Sequence, residues 1–200
     1  MNLPNKLTVS RLALTVLFLW AVFSRSPIND SLALAFFCLA GLTDMLDGRI
    51  ARRRNLITNF GILMDPLADK ILICSAFIAL VERGRLSPAA TTPVIVEAWM
   101  AVVVVARELA ITGLRLLAAS KSIVLAAEGY GKHKTVSQIT AIIALLVMDA
   151  YAEWWGWLQT LLRWWVPTFA GLALWVAVAL TAISGLLYLW RNREVYLHDM

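Results

Sequence analysis

The sequence predicts an all-α integral membrane protein, a single domain over residues 1–200 that crosses the bilayer six times. Hydrophobic residues make up 60% of the chain and charged residues 16%, and the mean hydropathy is +0.74. Apolar windows of about the length that a crossing needs recur at residues 8–24, 31–48, 60–81, 93–114, 135–152 and 168–190. A soluble domain does not carry so many apolar segments of this length.

The first window is predicted to be a retained membrane helix. It follows a helix-start signal at Pro4 and Asn5, although its basic start and apolar centre also occur in signal peptides. The segment SRSP that follows offers no small-residue cleavage site, so we expect the helix to stay in the protein.

The second and third windows contain carboxylates, which are costly inside a membrane and mark functional sites there. At about 100° per residue, four positions at the end of the second window and just beyond it share one helix face. They are Asp44, Asp47, Gly48 and Ala51. Three positions of the third window follow at intervals of four and form a second stripe: Gly61, Asp65 and Asp69.

If these two windows form a helical hairpin, the four carboxylates converge on one point. Counted from Asp30 and Glu82, the polar ends of the arms, Asp44 is 14 residues in and Asp69 is 13, about 20 Å each. Four ionised carboxylates in a low dielectric repel one another, so the site implies bound cations, altered protonation, or both. Hard divalent cations require oxygen ligands arranged in this way. A structural ion pair is the alternative use of such acids.

Three residues beside the acids suit a nucleotide or a phosphate. Gly48 and Ala51 remove side-chain bulk, which would let a flat base or a phosphate approach the helix backbone. Arg52 can offer a planar fork of donors to a phosphate. Close helix packing is the alternative explanation for the two small residues. Lys70, next to Asp69, is expected to point outward, away from the acidic stripe.

The fourth and fifth windows contribute cations. Arg107, Glu108 and Arg115 lie in the run ARELAITGLR, and the run GYGKHKT brings Lys132 and Lys134 to the start of the next helix. A glycine turn followed by cations at a helix N-terminus is a reasonable anion site. We therefore predict a pocket for a dianionic phosphate, called the phosphate pocket, formed by Arg107, Arg115, Lys132 and Lys134. An ion pair of Glu108 with Arg107 or Arg115 is the structural alternative.

Two further features are predicted to have structural roles. Five tryptophans form an aromatic cluster suited to an interfacial segment on the outer side of the membrane. They are Trp154, Trp155, Trp157, Trp164 and Trp165. Cys38 and Cys74 lie in apolar windows without a CxxC or CxxH neighbourhood, so we expect buried packing and no disulfide or zinc site.

Basic residues are distributed unequally between the two sides of the membrane. Six crossings put 14 of the 18 lysines and arginines toward one side, which by the positive-inside rule is the cytoplasm. Both termini and the acidic site are then cytoplasmic. The net charge of +5 fits attraction to anionic membrane lipids and phosphate-bearing substrates. We expect no nucleic-acid binding, because the basic residues are dispersed at helix ends.

The acids and their neighbours fit the spacing D-x2-D-G-x2-A-R-x8-G-x3-D-x3-D, whose eight defined positions are Asp44, Asp47, Gly48, Ala51, Arg52, Gly61, Asp65 and Asp69. This spacing resembles the signature of the CDP-alcohol phosphotransferase family. The resemblance implies a bundle of six membrane helices, a homodimer and a site for two ions of Mg²⁺ or Mn²⁺. Such enzymes move a phosphatidyl or similar group from a CDP-linked donor to an alcohol and release CMP.

The same resemblance implies roles for individual residues. Asp44, Asp47 and Asp65 would hold the metals, and Asp69, at the same metal site, would be the base for the acceptor hydroxyl. The donor is expected to contact Asn5, Thr8, Gly48, Ala51, Arg52 and Gly61. Asn5, Thr8 and Arg11 belong to a P-N-x2-T-x2-R run that borders the nucleotide site in the family. A helix cap with a snorkelling arginine is the alternative explanation for that run.

The runs around Arg107 and Lys134 are similar to those of the bacterial branch of the family that uses sn-glycerol 3-phosphate. This implies transfer from CDP-diacylglycerol to glycerol 3-phosphate at the bacterial cell (inner) membrane, giving phosphatidylglycerophosphate and CMP.

Three alternatives to this function stay open. A sibling enzyme using serine, inositol phosphate or phosphatidylglycerol would keep the acids and change the basic pocket. A membrane prenyltransferase would need two acidic motifs in a longer chain, and an ion or proton carrier would not require the Gly48, Ala51 and Arg52 spacing.

Overall fold

The computed structural model of the chain describes residues 3–24, 28–54, 59–86, 96–121 and 130–197. Within these ranges, only the backbone is described for residues 3–5, 7, 44–54, 59–63, 65–66, 85–86, 130–132 and 197. Every regular element in the described ranges is a helix. The prediction of an all-α protein is confirmed.

Eight α-helices follow one another through the described ranges. In chain order they are α1 (Leu3–Phe23), α2 (Asn29–Arg54), α3 (Asn59–Leu86), α4 (Ala98–Ser120), α5 (Tyr130–Ala150), α6 (Gly156–Leu162), α7 (Val166–Arg191) and α8 (Glu194–Leu197). A 3₁₀ turn at Tyr151–Glu153 joins α5 to α6. The six longest helices have 21 to 28 residues, and each coincides with one of the six apolar windows.

Two stretches of the described chain are long and apolar enough to cross a membrane, His133–Glu153 and Val166–Arg191. Thr8–Phe23 and Asn29–Thr43 are apolar but shorter. By length and composition alone, two of the six predicted crossings are therefore supported. Charged residues inside α2 and α3 lower the hydropathy of those helices, as the sequence leads one to expect.

The core forms where the long helices meet. Helix α1 packs on α2 and α3, α5 packs on α2 and α7, and α4 packs on α3 and α7. The rings of Phe18 and Phe37 lie 5.7 Å apart between α1 and α2, and Phe77, Leu145 and Leu174 fill the centre. Fully buried alanines permit the close approach of the helix backbones. They include Ala33, Ala40, Ala76, Ala79, Ala141, Ala170 and Ala177.

Arg83 contacts or belongs to four helices in the region where α1, α3 and α5 end and α2 begins. We call this region the Arg83 end. Its guanidinium forms an ion pair with Asp30 at the start of α2 and another with Asp149 near the end of α5, with Nε 3.2 Å from Oδ2. Its Nη1 also donates to the carbonyl oxygen of Val22 in α1 at 3.4 Å. Arg83 lies just beyond the third predicted window, residues 60–81, yet it joins helices that are distant in sequence.

Glu153 completes the Arg83 end by capping α2. Its carboxylate accepts hydrogen bonds from the backbone N–H groups of Asp30 and Ser31, each at 2.9 Å, and from the Ser31 hydroxyl at 2.6 Å. Trp154 donates its indole N–H to the same hydroxyl at 2.9 Å. A carboxylate at a helix N-terminus satisfies free N–H groups and complements the helix dipole.

The tryptophan-rich segment lies on the surface of the molecule. No residue of α6 is buried, and the side chains of Trp155, Trp157 and Trp164 are largely exposed.

Both cysteines are free. Cys74 is half-buried, but Cys38 is exposed, so the prediction that Cys38 is buried is wrong. The hydropathy of α2 identified an apolar helix but not which of its faces points away from the core.

Replacing Arg83 by methionine should destabilise the protein. The change keeps an unbranched stem but leaves Asp149, whose side chain is 10% exposed, without its cation. Hydrogen bonds to charged groups contribute about 1.5–3 kcal/mol each, and in a chain of this length each kcal/mol shifts the midpoint by about 2–4 °C. Losing even one such bond should therefore lower the thermal unfolding midpoint in detergent by about 3–12 °C. The control is Arg163→Met, because the Arg163 side chain is exposed and has no recorded ion pair with a described residue. Equal midpoints for the two variants would show that the Arg83 contacts contribute nothing.

Candidate active site

The four acids lie on two helices whose register is fixed at the Arg83 end. Because Asp30 pairs with Arg83, the start of α2 and the end of α3 are at the same level. Asp44 is 14 residues after Asp30 and Asp69 is 14 residues before Arg83, about 21 Å along each helix. The two antiparallel arms therefore bring these backbone positions to a similar depth.

Of the four acids, only Asp69 has a described side chain, which is half-buried and has an interaction partner. The side chains of Asp44, Asp47 and Asp65 lie outside the described residues, so their convergence stays a prediction. For the same reason, the side chains that are described contain no group of three or more metal-binding residues. The chemistry of the donor set fits a hard divalent cation, because all four candidates are carboxylates.

Lys70 links the helix of Asp69 to α4. Its ammonium donates a hydrogen bond to the Thr112 hydroxyl, and that hydroxyl donates to the carbonyl oxygen of Glu108 at 2.7 Å. The prediction that Lys70 points outward is wrong. A step of one residue along α3 turns the side chain about 100° from Asp69, and in the folded protein this direction faces α4 rather than the surroundings.

Glu108 is the centre of a buried charge cluster. Its Oε1 accepts a hydrogen bond from the Lys134 ammonium in α5 and lies 3.2 Å from Nη1 of Arg107. The side chains of Glu108 and Lys134 are 8% and 5% exposed, so water screens this pair weakly. We call Glu108, Arg107 and Lys134 the Glu108 cluster. The ion pair with Arg107 considered from the sequence is present, whereas Lys134, a partner 26 residues away, was not anticipated.

Gly185 in α7 provides the space that Arg107 occupies. A methyl group built on Gly185 would lie 2.7 Å from Cγ of Arg107, closer than non-bonded carbon atoms come. Cγ is near the root of the side chain, so it could not move aside without displacing the guanidinium. The Nε atom of Arg107 is buried and has no hydrogen-bond partner among the residues that the structure describes. The packing of α7 therefore defines where this cation lies.

Arg115 lies two turns beyond Arg107, about 12 Å along α4. Its Nε donates to the Tyr188 hydroxyl at 3.3 Å, and its guanidinium carbon is 5.7 Å from the centre of the Tyr188 ring. Tyr188 is buried in a small cluster of α4, α7 and α8. The pair of Arg115 with Glu108 considered from the sequence is not formed. Of the predicted phosphate pocket, Arg107 and Lys134 are adjacent, Arg115 is farther along α4, and the Lys132 side chain lies outside the described residues.

The residues predicted to contact the nucleotide donor are described in part. Thr8 and Arg11 are both fully buried, and Thr15 continues their helix face with a 2.9 Å bond to the Arg11 carbonyl oxygen. Arg11 therefore lies inside the bundle and does not snorkel to its surface. The side chains of the other candidates lie outside the described residues: Asn5, Gly48, Ala51, Arg52 and Gly61.

Gln138 and Thr181 extend the polar interior next to the Glu108 cluster, and sequence reasoning missed both. Gln138 is four residues beyond Lys134 on α5, and its Nε2 donates to the Thr181 hydroxyl at 2.9 Å. Both side chains are fully buried. Both could have been found from the sequence, because each is a polar residue inside an apolar window. Gln138 is one helical turn from Lys134, and Thr181 is one helical turn from Gly185.

Sequence comparisons agree with the family that the motif indicates. The sequence model of CDP-alcohol phosphatidyltransferase matches residues 1–183. A CDP-diacylglycerol–glycerol-3-phosphate 3-phosphatidyltransferase of Bacillus subtilis (strain 168) is 40% identical over 96% of this chain and 96% of its own length.

Proteins of the same name from two other bacteria are also similar. The one from Escherichia coli (strain K12) is 34% identical over 94% of this chain and 93% of its own length. The one from Rickettsia bellii (strain RML369-C) is 31% identical over 94% of this chain and 93% of its own length. The chain therefore belongs to the CDP-alcohol phosphatidyltransferase family.

Proposed function

We propose that this protein transfers the phosphatidyl group of CDP-diacylglycerol to sn-glycerol 3-phosphate, giving phosphatidylglycerophosphate and CMP. The observation that carries the proposal is the Glu108 cluster, because buried cations beside the helix of Asp69 suit an acceptor that bears a phosphate. The names of the similar proteins support the same acceptor.

The proposed enzyme is one domain with six membrane crossings, both termini and the active site facing the cytoplasm of a bacterial cell. The six long helices and the excess of basic residues on one side support this topology. A membrane site suits the reaction, since the donor is a lipid whose headgroup lies at the interface. The family resemblance adds a homodimer, and membrane lipids would surround it.

The donor would be held between α1 and the arms α2 and α3. Arg11 and Thr8 are buried on α1, which packs against both arms. Gly48, Ala51, Arg52 and Gly61 would approach the nucleotide and its phosphates, together with Asn5. Asp44, Asp47, Asp65 and Asp69 would hold two Mg²⁺ or Mn²⁺ ions. When bound, such ions neutralise the pyrophosphate and withdraw charge from the phosphorus under attack.

Asp69 is proposed to accept the proton of the C1 hydroxyl of glycerol 3-phosphate. The hydroxyl oxygen then forms a bond to the phosphorus that carries diacylglycerol. The bond from this phosphorus to the bridging oxygen breaks, and CMP leaves with that oxygen. The hydrogen bond from Lys70 to Thr112 supports this role, because it connects the helix of Asp69 directly to the helix of Arg107.

The phosphate of the acceptor would be bound by Arg107, Arg115, Lys132 and Lys134. Glu108 offsets one of the two cations in its cluster, and Arg115 and Lys132 add two more, so the pocket carries three net positive charges. This charge is enough to balance a phosphate dianion. Arginine and lysine form charge-assisted hydrogen bonds to phosphate oxygens, and these are stronger than hydrogen bonds between neutral groups.

The test of the proposed function is CMP release by purified protein with CDP-diacylglycerol and a panel of alcohols. Losing charge-assisted bonds of about 1.5–3 kcal/mol each should cost an acceptor without a phosphate at least about 100-fold in kcat/KM. We therefore expect glycerol 3-phosphate to be used and glycerol and serine to be poor substrates. Equal use of serine, inositol phosphate or phosphatidylglycerol would instead assign the protein to a sibling enzyme with that acceptor.

Metal dependence is a second prediction. Transfer should stop in excess EDTA and return with Mg²⁺ or Mn²⁺, because the proposed ligands are four carboxylates. Asp44→Asn should lower Mn²⁺ affinity, measured by electron paramagnetic resonance, and abolish CMP release in the same preparation. Glu82→Gln is the control, since Glu82 is an exposed acid far along α3. Full turnover in EDTA would remove the metals from the proposal.

Asp69→Asn should separate binding from chemistry. The amide keeps the volume and one hydrogen-bonding oxygen of the carboxylate but cannot accept the proton. Loss of a general base typically costs about 10²–10⁴ in rate, so kcat should fall on that scale while CDP-diacylglycerol affinity stays within a few-fold. Both quantities are measured on one preparation. Near-normal turnover would rule out Asp69 as the base. A loss of Mn²⁺ affinity in parallel with the loss of turnover would show that Asp69 acts mainly as a metal ligand.

A further inference from the structure

Glu108 is an acid inside a pocket proposed to bind an anion, and this needs an explanation. A carboxylate near a phosphate repels it, so a pocket evolved only for positive potential would lack one. Glu108 is also buried, which makes its negative charge costly unless it is paired. The structure shows that it is paired twice, with Lys134 from α5 and Arg107 from α4.

The same oxygen, Oε1, accepts from both cations. Two cations that share one acceptor atom are held a few ångströms apart, at a separation where they would otherwise repel each other. Lys134 has a flexible four-carbon stem, and without this acceptor its ammonium could adopt several positions. The shared carboxylate therefore fixes both the spacing and the direction of the two donors.

Two further contacts place the Glu108 cluster within the bundle. Gly185 fits against the stem of Arg107, which positions the cluster relative to α7. The carbonyl oxygen of Glu108 accepts from Thr112, which in turn accepts from Lys70, the neighbour of Asp69. The cluster is thus connected through a continuous set of hydrogen bonds to the helix that carries the proposed base.

We propose that Glu108 is a positioning residue for the acceptor phosphate, which it serves by holding Lys134 and Arg107 in a fixed array. The inference rests on the proposed function and deepens it, since it names the group that organises the phosphate pocket. Glu108 itself does not touch the phosphate. Its effect on binding is transmitted through the two cations.

The proposal predicts whether removing Glu108 weakens or tightens the binding of a phosphate-bearing ligand. If Glu108 acted only through its charge, removing it would raise the positive potential and tighten anion binding. If it positions the cations, removing it would weaken anion binding although the pocket becomes more positive. The two roles therefore predict opposite changes in the Kd of a phosphate-bearing ligand.

The test compares Glu108→Ala and Glu108→Gln with the wild-type protein by isothermal titration with glycerol 3-phosphate and, separately, inorganic phosphate. We expect the alanine variant to raise both Kd values at least about tenfold, since neither cation keeps a fixed partner. The glutamine variant retains an acceptor oxygen and should raise them about two- to fivefold. The KM for glycerol 3-phosphate should follow Kd, while the KM for CDP-diacylglycerol stays unchanged. Glu97→Ala is the control, because Glu97 is an exposed acid at the start of the same helix.

A second variant moves Arg107 without changing any charge. Gly185→Ala puts a methyl group against the Arg107 stem and should raise the Kd for phosphate several-fold. Gly113→Ala is its matched control, since a methyl group on that glycine meets no atom within 4 Å. If Glu108→Ala fails to fold, this pair still tests the placement of Arg107, and Glu108→Gln tests the carboxylate.

Unchanged or tighter phosphate binding in Glu108→Gln, together with unchanged binding in Gly185→Ala, would overturn the proposal. If the wild type binds inorganic phosphate but does not use glycerol 3-phosphate, and both variants still weaken phosphate binding, the role of Glu108 stands and the proposed acceptor is wrong. If the wild type binds neither ligand, the cluster is no anion site and the inference fails with it.

Discussion

The hydrogen bonds of Glu108 to Lys134 and Arg107 are the interaction on which the candidate site depends. Charged groups among apolar helices are stable only when they are paired, because no water is available to solvate them. This constraint links α4 to α5 through Lys134, while Gly185 accommodates Arg107 on α7. A cluster that is needed to compensate buried charge also assembles donors suited to a phosphate, so stability and the proposed phosphate binding would depend on the same contacts.

At the opposite end of the bundle, charged groups are also paired, and there the pairs join helices and fix their register. Arg83 joins α1, α2, α3 and α5, and Glu153 caps α2, so that end is held by charge pairs and a helix cap. Because Asp30 and Arg83 fix the register of α2 and α3, the levels of Asp44 and Asp69 follow from helix geometry. The Arg83 end thus sets the alignment that the proposed acidic site would require.

Local patterns predicted the helices well and named the candidate acids, whose convergence stays a prediction. Contacts between distant helices explain what the patterns missed. Six apolar windows located six long helices because hydropathy is a property of a continuous segment. Lys70 was expected to point outward because only its own helix was considered, whereas α4 provides its partner Thr112. The pairing of Glu108 with Lys134 and the fit of Gly185 against Arg107 depend on how three helices pack, which no spacing along one helix encodes.

The central claim is that an acidic metal site and a cationic phosphate pocket lie side by side at one end of this bundle. A crystal structure of the protein soaked with Mn²⁺ and glycerol 3-phosphate tests it most directly. We expect anomalous Mn²⁺ peaks between α2 and α3 at the aspartates, and phosphate density within hydrogen-bond distance of Arg107 and Lys134. Phosphate density away from the Glu108 cluster, or Mn²⁺ bound at other residues, would contradict it.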